Sequence, residues 1–264
     1  RSNQYVVIAP TDHCHSEIPG AKFTFGGREL GDPRKDMWGL YLSWYDKWLR
    51  GNREAMAGIP KVQYYLMGKN EWRSAPSFPL PRTQFTKFYL GGGGRANGRF
   101  GDGVLAREPA AAGRDDYVYD PATPVPTRGM NDPAYGSFDQ SEVEMRQDVL
   151  VYTGPVLERG IEVTGPIEAV LYVSSSARDT DFIAKLVDVY PDGRAFEVRS
   201  GIARARYREG FGHGCLMDRH AVRHLVALPV LGHQTLAKCA LNMRHGHGRA
   251  VEALQVAVVA GDAE

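Results

Sequence analysis

The 264-residue chain carries 32 Lys and Arg against 31 Asp and Glu, a net charge of +1, which leaves no electrostatic case for a nucleic-acid or membrane-surface partner. Its length exceeds one ordinary domain of roughly 100–200 residues, so two units, or one and part of another, are expected. Three cysteines, Cys14, Cys215 and Cys239, form no CxxC pair, and no apolar run approaches the roughly 18 residues of a membrane span, so neither a disulfide framework, a zinc ribbon, a signal segment nor a cofactor motif is read.

The first residue is Arg1, and the chain runs almost at once into Tyr5-Val6-Val7-Ile8-Ala9, as a fragment of a longer protein would. This short apolar run predicts a strand buried on both faces of a parallel sheet. Pro10 to His15 follow, which places His13 in the loop just beyond the strand's carboxyl end, where open α/β sheets hold reactive groups. Position alone favours an idle loop histidine over a reactive one, and the neighbouring Cys14 makes no Cys-His nucleophile by adjacency.

Residues 23–31 read as a glycine-broken loop, and Asp32-Pro33 offers an N-cap followed by a first-turn proline. A helix is predicted over 36–50. Met37, Tyr41, Trp44, Tyr45 and Trp48 recur at three- and four-residue spacing, Leu40, Leu42 and Leu49 widen the stripe, and Gly51 stands at the C-cap. Such a stripe is expected to pack into a core, as the last helix of a domain.

Beyond Asn52 the period shortens towards two. Strands are predicted at 62–68, 86–90, 149–152 and 161–163, with a turn at 70–73. Gly91 to Gly94 match no phosphate-loop spacing and read as a flexible loop, and residues 107–135 read as a long surface crossing. The clearest pattern spans 167–199. There a run at 167–173, an alternating run from Phe182 to Val189, the turn Pro191-Asp192-Gly193-Arg194 and a run at 195–199 predict the centre of an antiparallel sandwich. After Phe211 no Phe, Tyr or Trp occurs, while six of the eight histidines lie beyond it, so the composition breaks as a shifted frame or foreign sequence would. His220 and His224 have the i, i+4 spacing of a helical metal pair, but with no third ligand a solvated helix face is the reading.

Several stretches share one order with a known family. They are Ala9-Pro10-Thr11-Asp12-His13-Cys14 against a Gly-Pro-x-x-His loop, residues 42–51, and Met67-Gly68-x-x-Glu71-Trp72-Arg73. Tyr119-Asp120-Pro121-Ala122-x-Pro124-Val125-Pro126, Asp148-Val149-Leu150-Val151-Tyr152, and Ser174-Ser175-Ser176 through Arg208 complete the set. In these motifs the chain resembles the X-prolyl dipeptidyl aminopeptidase and cocaine-esterase-like serine hydrolases.

The resemblance implies a mostly β chain: a jelly-roll-like β-sandwich at 57–211, preceded at 1–56 by the C-terminal remnant of an α/β-hydrolase domain. Residues 212–264 are left as an atypical, poorly ordered tail. It implies cleavage of a small-molecule or peptide substrate at a peptide, ester or amide bond by a Ser, Asp, His triad, with His13 as its histidine and no cofactor or metal. Ala9 departs from the family's glycine. No GxSxG occurs in these 264 residues, and the family's nucleophile and acid both precede the histidine, so this chain alone is expected to be inactive. The rival class is a non-catalytic β-sandwich binding module.

Overall fold

Strand β1 (Val6–Ile8) is followed by a small hairpin, β2 (Thr24–Phe25) and β3 (Arg28–Glu29), and by helix α1 (Met37–Leu49). Then come β4 (Val62–Leu66), β5 (Glu71–Ala75), β6 (Tyr89–Gly91), β7 (Val104–Ala106), β8 (Val149–Thr153), β9 (Glu162–Thr164) and β10 (Ala169–Val173). The long pair β11 (Asp181–Val189) and β12 (Ala195–Arg204) precedes β13 (Arg223–Ala227), β14 (Ala240–Asn242) and β15 (Ala253–Gly261). The computed structural model describes residues 3–10, 23–109, 111, 113–129 and 136–209, and the backbone of β13, β14 and β15. Over these residues the protein is mostly β, with one α-helix.

The predicted centre is a hairpin. Tyr190 and Gly193 close the turn between β11 and β12 with hydrogen bonds of 2.8 Å each, and Gly193 takes the positive φ of 82° that glycine adopts freely. A register shift between Leu186 and Val187 marks an irregularity in the pairing. These strands belong to a six-stranded sheet in the order β12-β11-β15-β8-β7-β6. The sheet is covered on both faces. On one, Leu150, Tyr152, Phe182, Ala184 and Leu186 meet Leu171 of β10, which pairs with β13 as a separate sheet, and this opposition makes the sandwich. On the other, Val149, Val151 and Ile183 pack with Val143 of the segment that crosses the sheet's back.

Within 212–264, expected as a poorly ordered tail, the described backbone is that of three strands, β13, β14 and β15. β15 enters between β11 and β8 and pairs antiparallel with both. Lack of aromatic residues had argued against packing here. The run Leu254-Gln255-Val256-Ala257-Val258-Val259 carries three β-branched valines and no charge, which suits a central strand. His224 lies in β13, so the helical reading of the His220 and His224 pair fails there, and His220 lies outside the described residues.

β4 joins the two parts of the chain. It runs parallel to β1, with Val6 opposite Val62 and Ile8 opposite Tyr64, and antiparallel to β5, so the pairing crosses the boundary expected between 56 and 57. Val62, Tyr64 and Leu66 pack with Ile8 and Leu80, whereas Tyr65 and Met67 join the sandwich core. The predicted turn at 70–73 is shorter than expected: Asn70 takes the left-handed φ of 57°, and β5 begins at Glu71.

Candidate functional site

His13, with Cys14 and His15, lies outside the described residues. The structure gives the two ends of the chain around it. The incoming end is β1, fixed by its pairing to β4 and by a 2.8 Å bond from Val6 N to the Lys61 oxygen, with Ile8 and Pro10 buried. Its outgoing end is Phe23, whose amide donates to the Gly31 oxygen at 3.0 Å while Leu30 donates to the Phe23 oxygen at 2.8 Å.

Sandwich residues hold that outgoing end. The phenol of Tyr65 donates to the Leu30 oxygen, and burial pushes its pKa up to about 12, which keeps the donor proton in place. At the tip of the β2–β3 hairpin Gly27 N donates to the Ser137 oxygen at 2.9 Å, and a Cβ at Gly27 would stand 2.7 Å from the Phe196 ring. Arg28 forms a buried ion pair with Asp188 at the end of β11. Its guanidinium lies 5.3 Å from the centroid of Phe196 and 5.6 Å from that of Tyr190. Sequence reasoning passed over Arg28, although one signal was legible: Asp188 falls on the apolar face of the alternating run, where a carboxylate requires a partner.

Helix α1 is capped by Asp36, not Asp32. The Asp36 carboxylate accepts from Gly39 N at 2.7 Å, while Asp32 is engaged by Arg34 and its pKa is held below the usual range by that hydrogen bond. Trp44 packs edge-on against Tyr5 with centroids 5.8 Å apart. Much of the predicted stripe stays in the open: Leu42, Tyr45 and Trp48 are 66%, 56% and 43% exposed, and only Met37 of the helix is buried. Among the described residues, nothing covers this apolar face of the helix.

Two other features carry chemistry. Behind the six-stranded sheet, Lys185 meets Glu197 at 3.1 Å and Gln140 at 2.9 Å, beside Glu144, which is 1% exposed with neither carboxyl oxygen hydrogen-bonded. Burial is the main cause that pushes the Glu144 pKa up to about 7. A shallow groove of about 540 Å³ runs past Asn97, Tyr117, Arg146 and Gln147. Its polar groups serve the fold: Asn97 donates to the oxygens of Asp116 and Gln147, and Arg146 grips Asp148 and the Thr123 oxygen. Among the described residues no three His, Cys, Asp or Glu side chains gather in a way that could hold a metal ion.

Residues 55–251 match the family of the X-Pro dipeptidyl-peptidase C-terminal non-catalytic domain. The chain belongs to that family. Cocaine esterase of Rhodococcus sp. (strain MB1 Bresler) is 44% identical over 218 residues, which are 81% of this chain and 38% of the esterase. An aminopeptidase from the marine sediment archaeon Thaumarchaeota archaeon has the same fold, with a TM-score of 0.75 and 23% identity over 98% of this chain and 42% of its own. A selenomethionine-labelled alpha-amino acid ester hydrolase superposes with a TM-score of 0.70 at 23% identity, over 97% of this chain and 42% of its own. This X-Pro dipeptidyl-peptidase C-terminal domain chain thus spans well under half the length of each relative.

Proposed function

We propose that this chain is the C-terminal part of a serine hydrolase of the X-Pro dipeptidyl-peptidase and cocaine-esterase type, whose whole polypeptide cleaves ester, amide or peptide bonds. The observation that carries the reading is the 44% identity to cocaine esterase, which extends over 81% of the chain. In this reading residues 1–56, joined by the strands β4 and β5 that share a sheet with β1, complete an α/β-hydrolase body, and the strands from β6 onward form a jelly-roll sandwich. β1 ends just before His13, and the open apolar face of α1 suits packing against the rest of that body.

His13 then acts as general base and acid. Its imidazole takes the proton from a serine hydroxyl as the oxygen attacks the carbonyl carbon, and returns that proton to the departing alcohol or amine. Serine and acid come from the upstream segment, so the 264 residues alone turn over nothing. The test is to express the chain with and without the upstream segment of its parent and follow hydrolysis of an activated ester. Activity only in the joined polypeptide supports the reading. An upstream segment without a nucleophile elbow favours the second reading, a binding sandwich, which draws on the family's description as a non-catalytic domain.

A further inference from the structure

We propose that residues 137–145, which cross the back of the six-stranded sheet, form a pH-sensitive clasp: it stays shut while the Glu144 carboxyl keeps its proton and loosens when that proton leaves, freeing the β2–β3 hairpin from Ser137.

Val143-Glu144-Met145 is a short helical turn whose Val143 packs onto Val149 and Val151 of β8, and this contact carries Glu144 inward with it. Glu144 is 1% exposed, and neither carboxyl oxygen accepts a hydrogen bond. A neutral carboxyl is buried in such a place at modest cost, whereas a carboxylate without a donor is far more costly. The cations around it are already committed. Lys185 of β11 is held by Glu197 of β12 at 3.1 Å and by the Gln140 oxygen at 2.9 Å, and Arg99 of the neighbouring loop donates to the Gly193 oxygen at 2.7 Å. The remaining charge beside it, Asp139 of its own segment, is negative. β8 meets the turn with valines, and β15 carries no titratable side chain from Ala253 to Gly261. An ionised Glu144 is therefore relieved only by water, which it reaches when the segment lifts off the sheet.

The same segment holds the hairpin. Arg99 N donates to the Glu144 oxygen at 2.7 Å, Gln140 N to the Ala195 oxygen at 2.7 Å and Glu197 N to the Phe138 oxygen at 3.2 Å, which pins the segment along the start of β12. At its near end the Ser137 hydroxyl donates to the Glu197 oxygen at 2.5 Å, while the Ser137 oxygen accepts from Gly27 N at 2.9 Å. Gly26 is bridged to Ser137 so closely that a Cβ on Gly26 has no room. One strip of backbone thus joins the sheet's back to the hairpin. Burial, the main cause, pushes the Glu144 pKa up to about 7 from 4.5, so the shut clasp binds the proton more tightly than the open one, and opening becomes easier as pH rises through about 7.

Hydrogen exchange on the full chain tests this, with each rate corrected for the intrinsic effect of pH on amide exchange. The amides of Arg99, Gln140, Glu197 and Gly27 should be at least about tenfold less protected than those of the β11–β12 pairing, because the clasp opens without global unfolding, and their protection should fall a further tenfold or so from pH 6 to pH 8. In Glu144→Gln the four should keep their protection across that range. Should that variant not fold, Arg99→Met decides: it removes a cation that favours the ionised carboxyl, so the onset of the fall should move to higher pH. Three results overturn the proposal: protection at the four amides that does not change with pH, protection equal to that of the β11–β12 pairing, or a fall that persists in Glu144→Gln. An onset that Arg99→Met leaves in place or lowers does the same.

Discussion

Lys185 and Glu197 stand 3.1 Å apart across the β11–β12 pairing, on the strand face opposite Phe182, Ala184 and Leu186. Both are nearly shielded from water because the segment around Ser137 to Met145 crosses this face, and Gln140 adds its side-chain oxygen to the Lys185 ammonium. A buried pair is costly to break and cheap to replace. Lys185→Met alone should lower stability by about 3–5 kcal/mol, whereas Lys185→Met with Glu197→Leu should return to within about 1 kcal/mol of the starting protein. Urea unfolding of the four proteins checks this. Additive losses would show that the two charges act independently.

Glu144 makes a prediction about pH. Its folded pKa of about 7 lies above the ordinary 4.5, burial being the main cause, with Asp139 adding to it and Arg99 and Lys185 opposing. The folded state therefore holds more protons than the unfolded state between those values. This group's contribution to stability is fully present below about pH 4.5 and is lost as pH rises through about 7, by on the order of 3 kcal/mol. Glu144→Gln, which cannot ionise, should gain on the unmodified protein as pH rises from 5 to 8. At roughly 2–4 °C per kcal/mol the difference in melting temperature should widen by about 5–10 °C. A constant difference across that range would contradict the assignment.

β15 carries a prediction that composition alone argued against. A strand hydrogen-bonded on both sides, to β11 and to β8, holds the six-stranded sheet together. Truncation before residue 253 should therefore lower the melting temperature by more than about 10 °C, and Val256→Pro, which removes a ladder donor from a central strand, should act in the same direction. A fall of no more than the roughly 2–4 °C that one kcal/mol produces would mean that the sheet closes without it.

How far the sequence spoke depended on the range of the interaction. The β11–β12 hairpin was legible because alternation and Asp192-Gly193 are local signals, and so was α1, whose stripe and C-cap glycine are local too. Which strand lies beside which was not legible. β15 pairs with β11 from 64 to 80 residues away and with β8 from 102 to 110 residues away, and β4 lies parallel to β1 through a pairing that no periodicity encodes. The exposure of Tyr45 and Trp48 could not be read either, since a stripe reports what a helix can bury and not what covers it. Of the candidate site, His13 was named only through a motif resemblance, and it lies outside the described residues. The hairpin's supports, Arg28, Tyr65 and Ser137, come from three separated stretches that only the fold unites.

We propose that this chain completes a serine hydrolase by supplying its histidine. The most direct measurement is single-turnover and steady-state hydrolysis of an activated ester by the parent polypeptide carrying His13→Ala, with His15→Ala as its neighbour control. The account predicts that His13→Ala lowers kcat by at least about 10³-fold and by as much as about 10⁶-fold, as removal of one triad member does, while the melting temperature holds and His15→Ala stays within about tenfold. Equal losses from both changes, or a His13→Ala protein that keeps its rate, would contradict it.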